Sequence, residues 1–155
     1  MPFSSSKLWE WCFVSEPSSK LRELEKNLLA AVGTPKFDAI HTEYSALLPE
    51  IAPDFRETLQ VHARLYRAVH KASQEGALPK GMSPQIAAAK AKEAILDHNK
   101  QISEKKNALH VLEQHAPILS GLQHHAPLVR ELTRDIEGQV LRRNNLTLAQ
   151  VLHRK

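Results

Sequence analysis

The sequence predicts an all-α protein, an irregular helical bundle of five or six helices with one long helix and no β-sheet. Three observations predict it. Leu, Ala, Lys, Glu, Gln and Arg dominate the composition, and these are the good helix formers. Aromatics make up only 5% of the chain and glycine occurs five times, where a strand-rich fold would use more of both. Five prolines stand where an apolar period begins, at Thr34-Pro35, Ala52-Pro53, Ser83-Pro84, Ala116-Pro117 and Ala126-Pro127. Proline is tolerated at the start of a helix because its missing N–H has no intrahelical partner there.

The first helix is expected over residues 19–32, with Leu21, Leu24, Leu28 and Val32 on one face and Gly33 ending it. The second runs over 35–48, with Phe37, Ile40, Tyr44 and Leu47/Leu48 inward and Pro49 as its stop. Thr34 and Ser83 are candidate caps. The third helix, 53–74, carries Phe55, Leu59, His62, Tyr66 and Val69 at steps of three and four. A neighbouring stripe of Val61, Leu65, Ala68 and Ala72 widens its buried face, and Arg64, Arg67 and Lys71 form a basic back. Asp54 and Glu57 read as its start pair.

The long helix is expected over about residues 84–115. Its alanine-rich first half permits close helix approach. Ile95, Ile102 and Leu109 recur every seven residues, with Ala91, His98, Lys105 and Leu112 between them, a coiled-coil-like seam with two polar interruptions. From Asp97 to Asn107 only Ile102 is clearly apolar, so the middle is expected to be solvated or to contact a partner. His115-Ala116-Pro117-Ile118-Leu119 is echoed by His125-Ala126-Pro127-Leu128-Val129, a broken turn before a helix over 127–143 with Val129, Leu132, Ile136 and Val140 inward. Thr147 and Gln150 have capping-box spacing and open a short last helix.

The 155 residues suit one domain, here an aromatic arm over 1–17 and a helical domain over 18–155. One cysteine, Cys12, excludes an internal disulfide and points to a reducing compartment. Nothing approaches the ~20 apolar residues of a membrane span. The expected address is cytoplasmic, with a mitochondrial one left open. The net charge of +4 is uneven: residues 1–50 carry 5 basic and 7 acidic side chains, and the two later thirds each carry 8 and 5. That imbalance hints at an anionic partner for the later helices.

Residue patterns for catalysis are missing. There is no Gly-rich phosphate loop, and no histidine neighbours Cys12 in sequence. Nine histidines invite a metal reading, but only Asp38 and His41 have acidic-x-x-His spacing. His110, Glu113, His115, His124 and His125 match no familiar ligand pattern. Exposed histidines at helix ends, with His62 and His98 packed, is the simpler expectation. No catalytic residue, cofactor or metal is assigned.

Two surfaces stand out. Residues 58–92 hold six basic side chains against Glu75 alone. Arg64, Arg67, Lys71, Lys90 and Lys92 are therefore anion-binding candidates, set against an ordinary solvated face. The segment Leu8-Trp9-Glu10-Trp11-Cys12-Phe13-Val14 holds both tryptophans of the chain. Such an arm either folds back over the bundle or anchors a partner. Trp9, Trp11, Phe13, Ile95, His98, Ile102 and Leu109 are the partner-binding candidates. The expected role is a non-enzymatic interaction or assembly subunit, an adaptor, chaperone-like protein or complex component, meeting another protein or itself. A nucleic-acid-associated protein using the basic stripe is the alternative. A translocated bacterial effector, suggested by Ser4 to Ser6, is a further one.

Overall fold

The computed structural model describes residues 16–153. Within them are seven helices, a 3₁₀ turn and no strand. They are α1 (Glu16–Ala31), α2 (Phe37–Leu47), the 3₁₀ turn Leu48–Glu50, α3 (Pro53–Gln74), α4 (Pro84–Gln114), α5 (Ala116–Leu119), α6 (His125–Asn144) and α7 (Leu148–Leu152).

The proline reading holds at four of its five positions. Pro53 and Pro84 open α3 and α4, and Ser83 Oγ accepts from the Ile86 N–H at 3.2 Å. Pro117 and Pro127 fall within the first turns of α5 and α6, where the N–H groups have no partner to lose. α2 begins two residues later than expected. Thr34 instead builds the preceding turn, its hydroxyl donating to Ala31 O (2.7 Å) and accepting from the Lys36 N–H (3.3 Å). Glu57 does not fold back on the start of α3; it accepts from Arg143 on another helix. At the C-terminal end the capping box forms in both directions between Thr147 and Gln150.

α3 is the central helix. Thr58, Leu59, Val61, His62, Ala63, Leu65, Tyr66 and Val69 are all buried, leaving Arg64, Arg67 and Lys71 on an exposed strip. Around it pack Leu21, Leu24, Leu28 and Val32 of α1 with its following turn, and Phe37, Tyr44 and Leu48 of α2 with the turn after it. Ala87, Ala88, Ala91, Ala94 and Ile95 of α4 and Val151 of α7 complete the core. Four buried alanines let α4 lie close against its neighbours. Burial of each Leu, Val or Phe contributes roughly 1.5–3 kcal/mol.

Cross-helix contacts fix the register. At one end, Gly33 after α1 meets Pro84 at the start of α4 and Ser73 near the end of α3. Half-way up, Glu25 of α1 lies against His62 and Tyr66 of α3 and Lys92 of α4. At the other end, Glu57 of α3 and Asn99 of α4 meet Arg143 of α6. α1 and α3 therefore run side by side in the same direction, antiparallel to α4. The start of α1 lies level with α4 near residue 100.

Beyond that level the body stops and α4 continues. Its remaining turns pair with α6, its most extensive neighbour. His98 meets Gln139 and Leu112 meets His125, an antiparallel register that sets Ile102 opposite Ile136. The product is a two-helix hairpin projecting from the body, with the single turn α5 at its tip. The polar middle of α4 thus has one side against α6. Ala91, Ile95 and Ile102 are buried, while His98, Lys105, Leu109 and Leu112 are half-buried.

Candidate functional site

The hairpin has a polar root and an apolar tip. At the root, Arg143 is almost fully buried, and its guanidinium donates to Asn99 Oδ1 (2.8 Å), Asn144 Oδ1 (3.1 Å) and Glu57 Oε1 (3.2 Å). Asn144 Nδ2 also donates to Glu57, and Arg64 Nη2 donates to Asn144 O (3.0 Å). Beside this clamp, Arg142 Nη2 donates to Gln139 Oε1 (2.6 Å). That contact fixes the amide so that Gln139 Nε2 donates to His98 Nδ1 at 2.7 Å. His98 is consequently the Nε2–H tautomer. Its pKa is lowered by burial, then by the charges of Arg142 and Arg143.

The tip lacks such satisfaction. Val111, Ile118, Leu122 and Leu128 are 43–78% exposed, on the end of α4, α5, the turn after it and the first turn of α6. The hairpin's apolar interior is thin: Ile102 and Ile136 are its buried apolar residues among those described, and neither joins the core of the body. Two helices packed only on each other have too few inward positions for all their apolar side chains. From residue 100 to 137 the charges balance, with Lys100, Lys105, Lys106, Arg130 and Arg134 against Glu104, Glu113, Glu131, Asp135 and Glu137.

A second constellation lies inside the body. Glu25 Oε1 accepts from Tyr66 OH (3.3 Å), with Lys92 Nζ at 3.7 Å and His62 Nδ1 at 3.9 Å. Burial drives His62 down to about 4 despite the opposing pull of Glu25. The His62–Glu25 approach is therefore not an ion pair at neutral pH. Burial and Glu25 push both Tyr44 and Tyr66 well above the ordinary tyrosine range. Among the described residues, Tyr44 OH and both ring nitrogens of His62 are buried without a hydrogen-bond partner. Glu25 also edges an open groove of 450 Å³ between α1 and α4, with Arg22, Lys26, Leu29, Ala30, Gln85 and Lys92. Its basic rim can attract an anion, but Gln85 Nε2 is already engaged with Val32 O at 2.9 Å.

The structure disperses the anion-binding candidates. Arg64 serves the hairpin root and Lys92 lies by Glu25, while Arg67 and Lys71 are exposed on α3 and Lys90 is half-buried. Of the partner-binding candidates, Ile95 and Ile102 are buried, His98 bonds Gln139 of α6, Leu109 is half-buried, and Trp9, Trp11 and Phe13 lie outside the described residues. His110, His115, His124 and His125 fall at the hairpin tip, but among the described residues no three His, Cys, Asp or Glu side chains are gathered to hold a metal ion. None of the described helices is long and apolar enough to cross a membrane.

Sequence reasoning missed the tip residues, the clamp and the Glu25 cluster. The tip had a legible signal: Val111, Ile118, Leu122 and Leu128 straddle a broken turn, at the facing ends of two long helices and on the short stretch between them. The clamp had none, because Glu57 and Arg143 are 86 residues apart. Comparison with family models, curated proteins and solved structures finds no match to this chain.

Proposed function

We propose that this protein is a non-enzymatic interaction or assembly subunit that docks another protein through the apolar end of its hairpin. The observation that carries it is the concentration of Val111, Ile118, Leu122 and Leu128, all well exposed, on an element outside the core. Monomeric soluble proteins seldom gather apolar surface without an interaction to cover it. The balanced charge of the hairpin suits a protein surface better than a phosphate backbone, which would demand an excess of cations. A docked partner would find a rigid base, since the clamp at Arg143 ties both hairpin helices to α3.

The nucleic-acid alternative is the weaker one, because Arg64 and Lys92 already have protein neighbours and only Arg67 and Lys71 stand fully outward on α3. A reducing, cytoplasmic setting agrees with the lone Cys12. The test is affinity capture at physiological salt with nuclease, comparing the native chain with an Ile118→Asp/Leu122→Asp variant. Proteins held by the native chain and released by the variant support the proposal. Equal capture by both chains, or loss of everything on nuclease treatment, rejects it.

A further inference from the structure

We infer that the apolar end of the hairpin meets the same end of a second copy of this chain, and that protons on four histidines there separate the pair. The inference rests on the docking role proposed for that end, names its partner and adds its control.

Charge is the first argument. Residues 107–129 span the end of α4, α5, the turn after it and the start of α6. They hold no lysine or arginine and one carboxylate, Glu113, in a chain that is 25% charged. The formal charge of this end is therefore −1 against +4 for the whole chain, which leaves +5 on the other residues. In a two-fold contact a patch meets itself, so any net charge on it repels its copy. An outside partner offsets fixed charges with opposite ones of its own; a second copy cannot. A nearly uncharged end that turns Val111, Ile118, Leu122 and Leu128 outward is thus suited to self-pairing.

Geometry is the second. From Lys100, where the body stops, to Gln114 is fourteen residues of helix, about 21 Å. Two hairpins meeting end to end hold their bodies roughly 40 Å apart, several times the ~8 Å over which charges act at physiological salt. The positive bodies then do not oppose the contact. The other exposed large apolar residues are scattered, Ile86 and Leu96 on the body half of α4 and Leu141 near the end of α6. Pairing through those would bring the positive bodies together. An end of this size predicts a weak, reversible dimer.

The histidines are the third. His110, His115 and His124 are exposed, and His125 is half-buried with Nε2 3.4 Å from Leu112 O. Histidine is the side chain whose charge ordinarily changes between pH 5 and 8. Few other charges surround these four. Glu113 lies on α4 with Lys105 and Lys106 further down it, Arg130, Glu131 and Arg134 lie on α6, and residues 116–123 carry none. Protonation of the four moves the end from −1 to +3, and two such ends repel.

Sedimentation velocity of the full chain, from micromolar to several hundred micromolar, tests this. At pH 7.5 a reversible dimer is expected, weakened about tenfold or more at pH 5.5. At pH 5.5, salt near 1 M should restore much of it, because the Debye length falls to ~3 Å. An Ile118→Asp/Leu122→Asp variant with unchanged helical circular dichroism should be monomeric at both pH values, and Ile86→Ser/Leu141→Ser should dimerise like the native chain. A chain carrying His110→Gln, His115→Gln, His124→Gln and His125→Gln should dimerise equally at both. A native chain monomeric throughout at pH 7.5, a dimer indifferent to Ile118→Asp/Leu122→Asp, a dimer as strong or stronger at pH 5.5, or acid dissociation that persists in the glutamine variant would each overturn the inference. Capture of other proteins is scored separately. If the chain is monomeric but the Ile118→Asp/Leu122→Asp variant releases captured proteins, the second copy falls and the docking role stands. If it is monomeric and capture is equal, both fall. If it dimerises through this end and holds nothing further, the second copy is its partner.

Discussion

Replacing Arg143 by alanine should loosen the hairpin before it loosens the body. The guanidinium makes three donations, to Asn99, Asn144 and Glu57, while itself nearly buried. Hydrogen bonds involving a charged group contribute about 1.5–3 kcal/mol each when they cannot be replaced. These can be replaced in part. The Glu57 side chain is 44% exposed and turns to water when its partner goes, and the asparagines are only half-buried. A net loss of about 2–3 kcal/mol follows, against the 3–5 kcal/mol of a fully buried pair broken on one side. For a chain of this size that lowers Tm by roughly 4–12 °C. Urea unfolding gives the magnitude, and native-state hydrogen exchange gives its location. Amides of α6 and of α4 beyond Asn99 should lose protection most, with α3 retaining more of its own. A loss under about 0.5 kcal/mol, the usual scatter of surface substitutions, would mean that the clamp is ornamental. An equal loss of protection in α3 and α6 would refute the separation of hairpin from body.

Gly33→Ala should destabilise by about 2 kcal/mol or more in urea unfolding, because Gly33 has φ +84° and an added Cβ would lie 2.7 Å from Pro84 Cγ. Gly138→Ala should stabilise by about 0.5–1 kcal/mol in the same assay, since its Cβ would meet only Arg142 Nη1 at an ordinary 3.5 Å and the helix gains an alanine. Acidification should destabilise the fold through His62: its folded pKa of about 4 lies below the unfolded 6.5, so between those values the unfolded chain binds the extra proton and stability falls as pH falls, by on the order of 3 kcal/mol in all. Urea midpoints at pH 7.5, 5.5 and 4.5 should show this decline, flattened in His62→Leu; an unchanged slope in that variant would place the effect elsewhere.

Most of the backbone plan was legible because it is local. Helix boundaries follow proline, cap and apolar period, and these agree for α3 and α4 to within a residue. Where they failed, a side chain had a better local use: Thr34 closes a turn instead of starting α2. The partner of α4 was illegible for a different reason. Positions 97–107 carry almost no apolar residues, so periodicity gave no face to match, and α6 meets them instead through Gln139 with His98 and Arg143 with Asn99. Polar complementarity depends on geometry between residues some forty apart and leaves no period in either helix. The seam at Ile95 and Ile102 was visible as apolar spacing, but spacing alone does not say whether the neighbouring helix belongs to the same chain.

The placement of polar and apolar layers says what the hairpin is suited to. The body completes its core with α1, α2, α3, the first half of α4 and α7, and gains little apolar burial from the hairpin. Above that core comes a layer of Glu57, Asn99, Gln139, Arg143 and Asn144, whose hydrogen bonds fix direction more than they contribute net stability. Beyond it, Ile102 and Ile136 form an interior too small to hold two helices by burial alone. An extension selected only for stability would place its leucines inward and shorten its tip. This one keeps Ile118 and Leu122 outward, at the point furthest from the core, on a stalk whose angle is set by a polar clamp. An apolar end held out on a polar clamp is the feature on which the proposed docking role rests, and loss of that role in the Ile118→Asp/Leu122→Asp variant is what would connect the two.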